Sequence, residues 1–503
     1  MNNVLDMIVS TAEAIPVALA PGNFLFGLLG LVFGVIWGAL PALSSTMAMA
    51  LLVGFSAGLD INAAIIFLLG AYSGSVFGGS ISAVCLNIPG KPNSACTAME
   101  GYPLFKRGEG GAALGTAIFS SSMGNIFGAV MLVIFTPFVL SIAISVGAWE
   151  LFLLGMMGVL VSGSISSAPP LKGWLSGLIG LAISMVGIDA ISGQPRYTAG
   201  ISDLYGGINF VAVLIGLFGF AEIARGLLFE KDHPSGMLNR VSVNWRELKK
   251  NIGNFFNSSV IGTIIGIVPA AGADIAAFVS YTVSRRLAKP EDKALYGKGS
   301  YRGIIAAETS DNASIGGDLL PSLILAIPGS TVAAAFMGAL NLQGIVVGPT
   351  IQMSHPGLIE TVFASLLIVS SLLGFVGFLL AKPLVRLLSV PRRVLLPCIM
   401  PVCVMGAFAA QNSVFDIYVM TISGLAGMAL VAGGFPLAPV CLGLILGPIV
   451  DINFRRALVI YKDQPITDML FRPVGLILIA SILLIMIGAL IGQRRKEALG
   501  IAD

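Results

Sequence analysis

Charge is what this chain lacks. Of its 503 residues 28 are Lys or Arg and 25 are Asp or Glu, 11% in all, where a soluble globular domain carries about 25%. With 56% apolar residues and a mean hydropathy of +0.94, there is too little polar surface to coat a water-soluble particle. Cytosolic enzymes and disordered scaffolds are thereby excluded. The net charge of +3, with no long run of like charges, leaves no stripe for nucleic acid and no polybasic arm for lipid headgroups.

Histidine is almost missing. His233 and His355 each precede a proline, Pro234 and Pro356, which places them in loops and argues against a Ser-His hydrolase or a His-ligated metal. The cysteines Cys85, Cys96, Cys398, Cys403 and Cys441 form no C-x-x-C pair and read as small buried hydrophobes. No Lys or Arg occurs before Lys91, so the basic n-region of a secretory signal peptide is missing and the N-terminus is expected in the mature protein. A phosphate-binding loop is also missing, because the glycine cluster from Gly297 to Gly303 has the wrong spacing. Any work done must then draw on an ion gradient or a partner.

What the chain has in abundance is apolar length. A spanning helix needs about 20 apolar residues. Clear candidates lie at 112–140, 148–166, 208–228, 357–381, 416–433 and 474–492. Shorter or interrupted stretches lie at 24–40 then 44–59, 61–77, 80–89, 173–187, 254–268 then 273–284, 303–317, 319–328, 331–346, 394–410 and 437–450. The expectation is an all-α polytopic membrane protein with roughly 10 to 14 membrane elements, some of them not full spans. Arg494, Arg495 and Lys496 follow the last span, so that tail is predicted to be cytoplasmic.

Two motifs recur in the same order. Gly34-Val-Ile-Trp-Gly38-Ala-Leu-Pro41-Ala42 returns as Gly262-Thr-Ile-Ile-Gly266-Ile-Val-Pro269-Ala270, and Leu86-Asn87-Ile88-Pro89-Gly90 returns as Leu325-Ala326-Ile327-Pro328-Gly329. One G-x-x-x-G means only close helix packing, but two ordered matches with prolines in register indicate duplication. The expected division is an N-terminal segment 1–19, a first membrane repeat 20–228, a charged linker 229–252, a second repeat 253–492 and a cytoplasmic tail 493–503.

Proline and glycine end these stretches, and broken helices persist in a membrane only where protein or a wet cavity answers their free backbone groups. Paired breaks in two repeats point to a transporter's binding site near the midplane. Free N–H groups and the positive end of the helix dipole suit an anion, carboxylate or phosphate. So do the residues nearby: Ser44, Ser45 and Thr46 after Pro41; Asn87, Lys91, Asn93 and Ser94 around Pro89-Gly90; Ser330 and Thr331 after Pro328-Gly329.

Gly78-Gly79-Ser80-Ile81-Ser82-Ala83, the run Leu86 to Pro92 and Glu100-Gly101-Tyr102-Pro103 resemble the large membrane subunit of the tripartite tricarboxylate transporters. Asp311-Asn312-Ala313, Gly316-Gly317 and Ile327-Pro328-Gly329-Ser330 in the second half, and Leu446-Gly447-Pro448 with Phe454-Arg455-Arg456 near the end, agree. Departures are Ala42 and Ala270 in place of glycine, and Asp311 in place of an asparagine. The resemblance implies inverted-topology repeats with re-entrant Pro-Gly hairpins in the bacterial inner membrane. It implies a secondary importer of a di- or tricarboxylate, working with a small membrane subunit of about four spans and a periplasmic solute-binding protein.

Acids inside a membrane are costly and usually functional. Asp274, Glu308, Asp311 and Asp318 cluster in the second half. Asp274 and Asp311, with Asn312, are the candidates for coupling to Na⁺ or H⁺; the competing reading is that they cap helices or pair with Arg302 or Lys298. Asp60, Asp189, Glu222, Asp416 and Asp451 read as structural acids at helix ends. Two rivals to the importer are a passive anion channel and an intramembrane protease using Asp318 with Asp274. The protease predicts no duplication.

Overall fold

The computed structural model describes residues 4–40, 43–88, 93–143, 146–165, 168–189, 191–221, 223, 240–269, 272–388, 392–462 and 465–498. Seven helices among them are long and apolar enough to cross a membrane: Pro21–Ala39, Ile61–Leu86, Gly110–Ser141, Leu358–Leu387, Val414–Ala432, Leu437–Ile460 and Pro473–Gln493. Six shorter apolar helices accompany them, Ser45–Ser56, Ala148–Ser164, Phe210–Phe220, Ile252–Ile267, Thr331–Leu342 and Leu396–Gln411. The chain is an all-α polytopic membrane protein. The N-terminal helix Val4–Ala18 lies against Leu358–Leu387.

The centre holds two helices. Ile61–Leu86 is buried almost throughout, and Tyr301–Ile324 is buried at every position except Arg302. The second is too polar to count as a span by composition, since it carries Arg302, Glu308, Asp311 and Asp318. Such a helix is tolerated at membrane depth only because Gly110–Ala143, Ile252–Ile267 and Gly272–Arg286 surround it.

Glycine sets how closely these helices approach. A Cβ on Gly34 or Gly38 of Pro21–Ala39 would lie 2.4 Å from the Ala71 or Ser75 carbonyl oxygen of Ile61–Leu86. In the second half, a Cβ on Gly262 or Gly266 would lie 2.3 Å from the Ser310 oxygen or 2.4 Å from that of Ser314. The matched motifs also share backbone conformation. Leu40 (φ −76°, ψ 120°) and Val268 (φ −73°, ψ 121°) each leave a helix in extended geometry, while Asn87 and Ala326 each adopt a left-handed φ of 57°.

Four expectations are corrected. The stretches 61–77 and 80–89 are one helix, Ile61–Leu86, and 303–317 continues unbroken into Tyr301–Ile324. The glycine pairs do not break these helices. They admit neighbouring backbone, for a Cβ on Gly78 or Gly317 would stand 2.6 Å from the Val35 oxygen or 2.2 Å from that of Thr263. The stretch 208–228 begins as Phe210–Leu214 and widens into a π-helical turn, Ile215–Phe220. Cys398 is exposed where the other four cysteines are buried; an apolar thiol suits a lipid-facing surface as well as a core. His233, Glu222 and most of the linker lie outside the described residues.

One short strand pair is firmly tied. A two-residue antiparallel ladder, Gly187–Ile188 with Pro195–Arg196, is held to Leu437–Ile460 by alternating charges. Arg196 pairs with Asp451 at 2.9 Å, Arg455 pairs with Asp451 at 3.0 Å, and Arg455 also holds Asp189.

Candidate functional site

Three helix starts converge beside the central pair. Thr46, at the start of Ser45–Ser56, and Thr331, at the start of Thr331–Leu342, meet through their hydroxyls at 2.6 Å. Gly272, where Gly272–Arg286 begins after the second break, stands so near that a Cβ there would lie 2.9 Å from Ser330 Cβ. Serine caps two of these starts in the same way. Ser44 Oγ accepts from the Met47 N–H and Ser330 Oγ accepts from the Ala333 N–H, both at 3.1 Å, as an N-cap should. Ser45 is buried, and its hydroxyl has no hydrogen-bond partner. Convergent N-termini with short hydroxyls make an electropositive, donor-rich point in the fold.

Behind Ser330 stands Asp318. Its Oδ2 accepts from both Ser330 Oγ and Tyr72 OH, and the two hydroxyls lie 3.2 Å apart. Asp311 accepts from Asn93 Nδ2 at 2.6 Å. Glu308 accepts from Ser80 at 2.6 Å, from Ser121 at 2.7 Å and from Thr97. Positions 308, 311 and 318 share one face of the helix, and apart from Ser330 every one of these donors comes from the first half of the chain. The contacts are also reciprocal. Tyr72 on the first central helix reaches the residue after the second Pro-Gly, while Asp311, 239 residues later, reaches Asn93 just past the first.

The other predicted residues fall as follows. Pro89, Gly90 and Lys91 lie outside the described residues, as does the side chain of Asp274. Asn87 ends its helix with an exposed side chain. Asn312 turns its amide to the Glu308 carbonyl at 3.0 Å and leaves its Oδ1 without a hydrogen bond. Arg302 faces Asn251 and the Ser284 carbonyl, at 3.4 Å each, so it does not provide the pairing suggested for Asp311. Pro328 and Gly329 sit against the site: a Cβ on Gly329 would lie 2.5 Å from Asp318 Oδ1 and 2.6 Å from the Gly266 oxygen, so no larger residue fits.

Sequence reasoning undervalued Asp318 and did not single out Tyr72. A signal existed for both. Asp318 follows Asp311 by seven residues, two helical turns on the same face, and the 239-residue offset between Leu86 and Leu325 equates Tyr72 with Asp311. Glu100 was noted only as a motif residue, yet it anchors a loop. It accepts Tyr281 OH at 2.6 Å and the N–H groups of Gly297, Gly299 and Ser300 at 2.7, 3.0 and 2.7 Å.

A cavity of about 400 Å³ lies at the other end of Thr331–Leu342, lined by Asn341, Leu342, Gln411, Tyr205, Arg196 and Asp451 among others. The half-helix therefore runs from this hollow to the Thr46 contact, about 18 Å at 1.5 Å per residue.

Residues 24–442 match the family model of the tripartite tricarboxylate transporter TctA family. An uncharacterized 52.8 kDa protein of the TAR-I ttuC' 3' region of Agrobacterium vitis is 33% identical over 498 residues, 98% of each chain. An uncharacterized protein of the TAR-II ttuC' 3' region of the same organism is 33% identical over 236 residues, 47% of this chain and 96% of its own length. No solved structure matches. The family match runs through both central helices and all three convergent helix starts, and the chain belongs to the tripartite tricarboxylate transporter TctA family.

Proposed function

We propose that the chain is the large membrane subunit of a binding-protein-dependent importer that carries a small organic di- or tricarboxylate across the bacterial inner membrane on a cation gradient. The observation that carries this reading is the Thr46–Thr331 contact, in which helix starts from the two halves of the chain meet at one point. Substrate carboxylates sit there against main-chain N–H groups and the hydroxyls of Ser45, Thr46 and Thr331, with Asn93 nearby on Asp311. The matched glycine contacts and backbone turns support two repeats, 20–228 and 253–492; their inverted topology follows from the family resemblance, and they rock against each other around this point. A small membrane subunit and a periplasmic solute-binding protein complete the assembly. With the Arg494, Arg495 and Lys496 tail cytoplasmic, the hairpin at 187–196 and the cavity beneath it face the periplasm, where substrate arrives.

A double-mutant cycle tests the site. If Thr46 and Thr331 only hold each other, Thr46→Val with Thr331→Val together restores what either change alone loses. If they bind substrate, each change weakens citrate or succinate uptake by roughly tenfold or more, as expected for a hydrogen bond to a charged group, and the double variant is worse still. Uptake of these probes against their concentration gradient separates an importer from a passive anion channel.

A further inference from the structure

Three acids line one face of Tyr301–Ile324, and one of them, Asp318, keeps a buried oxygen without a hydrogen bond. Glu308 has donors on both carboxylate oxygens, and Asp311 is held by Asn93. Asp318 is 1% exposed and has both hydroxyl donors on Oδ2, while Oδ1 takes no hydrogen bond of good geometry. The main chain of Gly329 and Ser330 also lies against the group. No cation pairs with it among the described residues. The helices Gly110–Ala143, Ile252–Ile267 and Thr331–Leu342 carry no titratable side chain at all. From Ile61–Leu86 it meets Tyr72. Its own helix adds Asp311 and Glu308, and Glu100 on Ser94–Lys106 is engaged by the Gly297–Ser300 loop. On Gly272–Arg286, Tyr281 is taken up by Glu100, Arg285 and Arg286 stand in the last turn, and Asp274 is the remaining acid.

We infer that Asp318 carries the coupling proton of this transporter, taken up on Oδ1 beside the Gly266 carbonyl. Both oxygens approach the same point beside Gly329, at 2.5 and 2.6 Å from where a Cβ would be. A metal ion needs several oxygens around a space of its own, and here that space is filled by the Gly329 main chain. A proton needs no volume. Its arrival converts the carboxylate to a neutral acid, and its departure restores the anion, with no other group consumed.

The link to substrate is Ser330. Its hydroxyl donates to Asp318 and caps the half-helix that presents Thr331 to Thr46. An ionised Asp318 offsets the positive end of that helix and repels a carboxylate one residue away. Protonation removes the repulsion, so proton and anion bind together and leave together. This coupling rests on the importer reading; the protonation itself does not.

Infrared difference spectroscopy of the purified full-length chain in Na⁺-free buffer, with pH stepped, tests the proton site directly. The wild type should show a carboxylic-acid C=O band that disappears as pH rises and is missing in Asp318→Asn. Adding Na⁺ at fixed pH should leave the band unchanged. Tyr72→Phe removes one donor to the ionised form, so the midpoint should move up, with proton affinity about tenfold higher. In membrane vesicles, Asp318→Asn should lose citrate accumulation driven by a pH gradient while keeping citrate exchange. An unchanged band in folded Asp318→Asn, or a band abolished by Na⁺, overturns the assignment. Should Asp318→Asn not fold, an unshifted midpoint in Tyr72→Phe overturns it equally. If the Thr46 and Thr331 variants leave transport intact but the band behaves as stated, the importer site fails and the proton site stands.

Discussion

Glycine-to-alanine exchange at matched positions offers the sharpest test of how the two halves are built. A Cβ added at Gly34 lands 2.4 Å from the Ala71 oxygen and 2.9 Å from Ser75 N, and one at Gly262 lands 2.3 Å from the Ser310 oxygen and 2.7 Å from Ser310 Cα. All of these are backbone atoms of a buried central helix, so no side chain can turn aside. Relief requires the helix axes to separate by about 1 Å, and overpacking of that kind costs about 1–3 kcal/mol. Alanine returns about 0.5–1 kcal/mol through helix propensity. The net expectation is a loss of about 1–2 kcal/mol for each variant, similar in the two halves. Gly22→Ala and Gly253→Ala are the controls, because they lie in the same two helices with nothing within 4 Å of the new methyl. Thermal unfolding of the detergent-purified chain should rank both controls at or above wild type and both buried variants below it. If Gly34→Ala or Gly262→Ala unfolds with the controls, the close approach described here is wrong.

Other outcomes follow from single contacts. Glu100→Gln places an amide where three N–H groups and Tyr281 OH point, so thermal stability should fall by about 1–3 kcal/mol; an unchanged melting curve would show that the loop has another anchor. Ala326→Gly relieves a left-handed φ of 57° and should stabilise the protein by up to about 1 kcal/mol, whereas Ala326→Val should destabilise it in the same assay. Asp189 is held well below the usual carboxylate range by the Ile191 N–H and by Arg455. Its ionic contacts are therefore complete above the ordinary Asp value of about 3.9 and fade only as pH falls through the lower folded value. Amide exchange at Ile191 and Ser192, corrected for intrinsic rates, should stay flat from about pH 7 to 5 and speed up in Asp189→Asn. A loop that loosens across that range contradicts the ion-pair account.

How much of this was legible depended on the range of the contact. The G-x-x-x-G-x-x-P-A motif and the Leu-x-Ile-Pro-Gly motif are local, and they located the extended exits at Leu40 and Val268 and the left-handed residues Asn87 and Ala326. Ser330 and Thr331 were legible for the same reason, since an N-cap is a short-range device. The glycine pairs at 78–79 and 316–317 misled because a breaker and a contact point use the same residue; only the carbonyl of Val35 or Thr263 overhead tells them apart. Tyr72 with Asp318, and Asn93 with Asp311, join positions more than 200 residues apart. No local pattern encodes such a pair. The helical face shared by Asp311 and Asp318 was readable, but dividing the region into 303–317 and 319–328 separated the two acids, where one helix, Tyr301–Ile324, carries both.

The origin of those donors has a consequence for how the protein is made. When the ribosome has delivered the first half, Ser80, Asn93, Thr97 and Ser121 are in place, but the carboxylates that answer them at 308 and 311 are not yet synthesised. Until the Tyr301–Ile324 helix arrives, these polar groups must turn to their own backbone, to water or to the insertion machinery. Maturation is therefore gated late in translation. A nascent chain truncated within the linker should be cleared by membrane quality control, while the same fragment co-produced with residues 253–503 should survive.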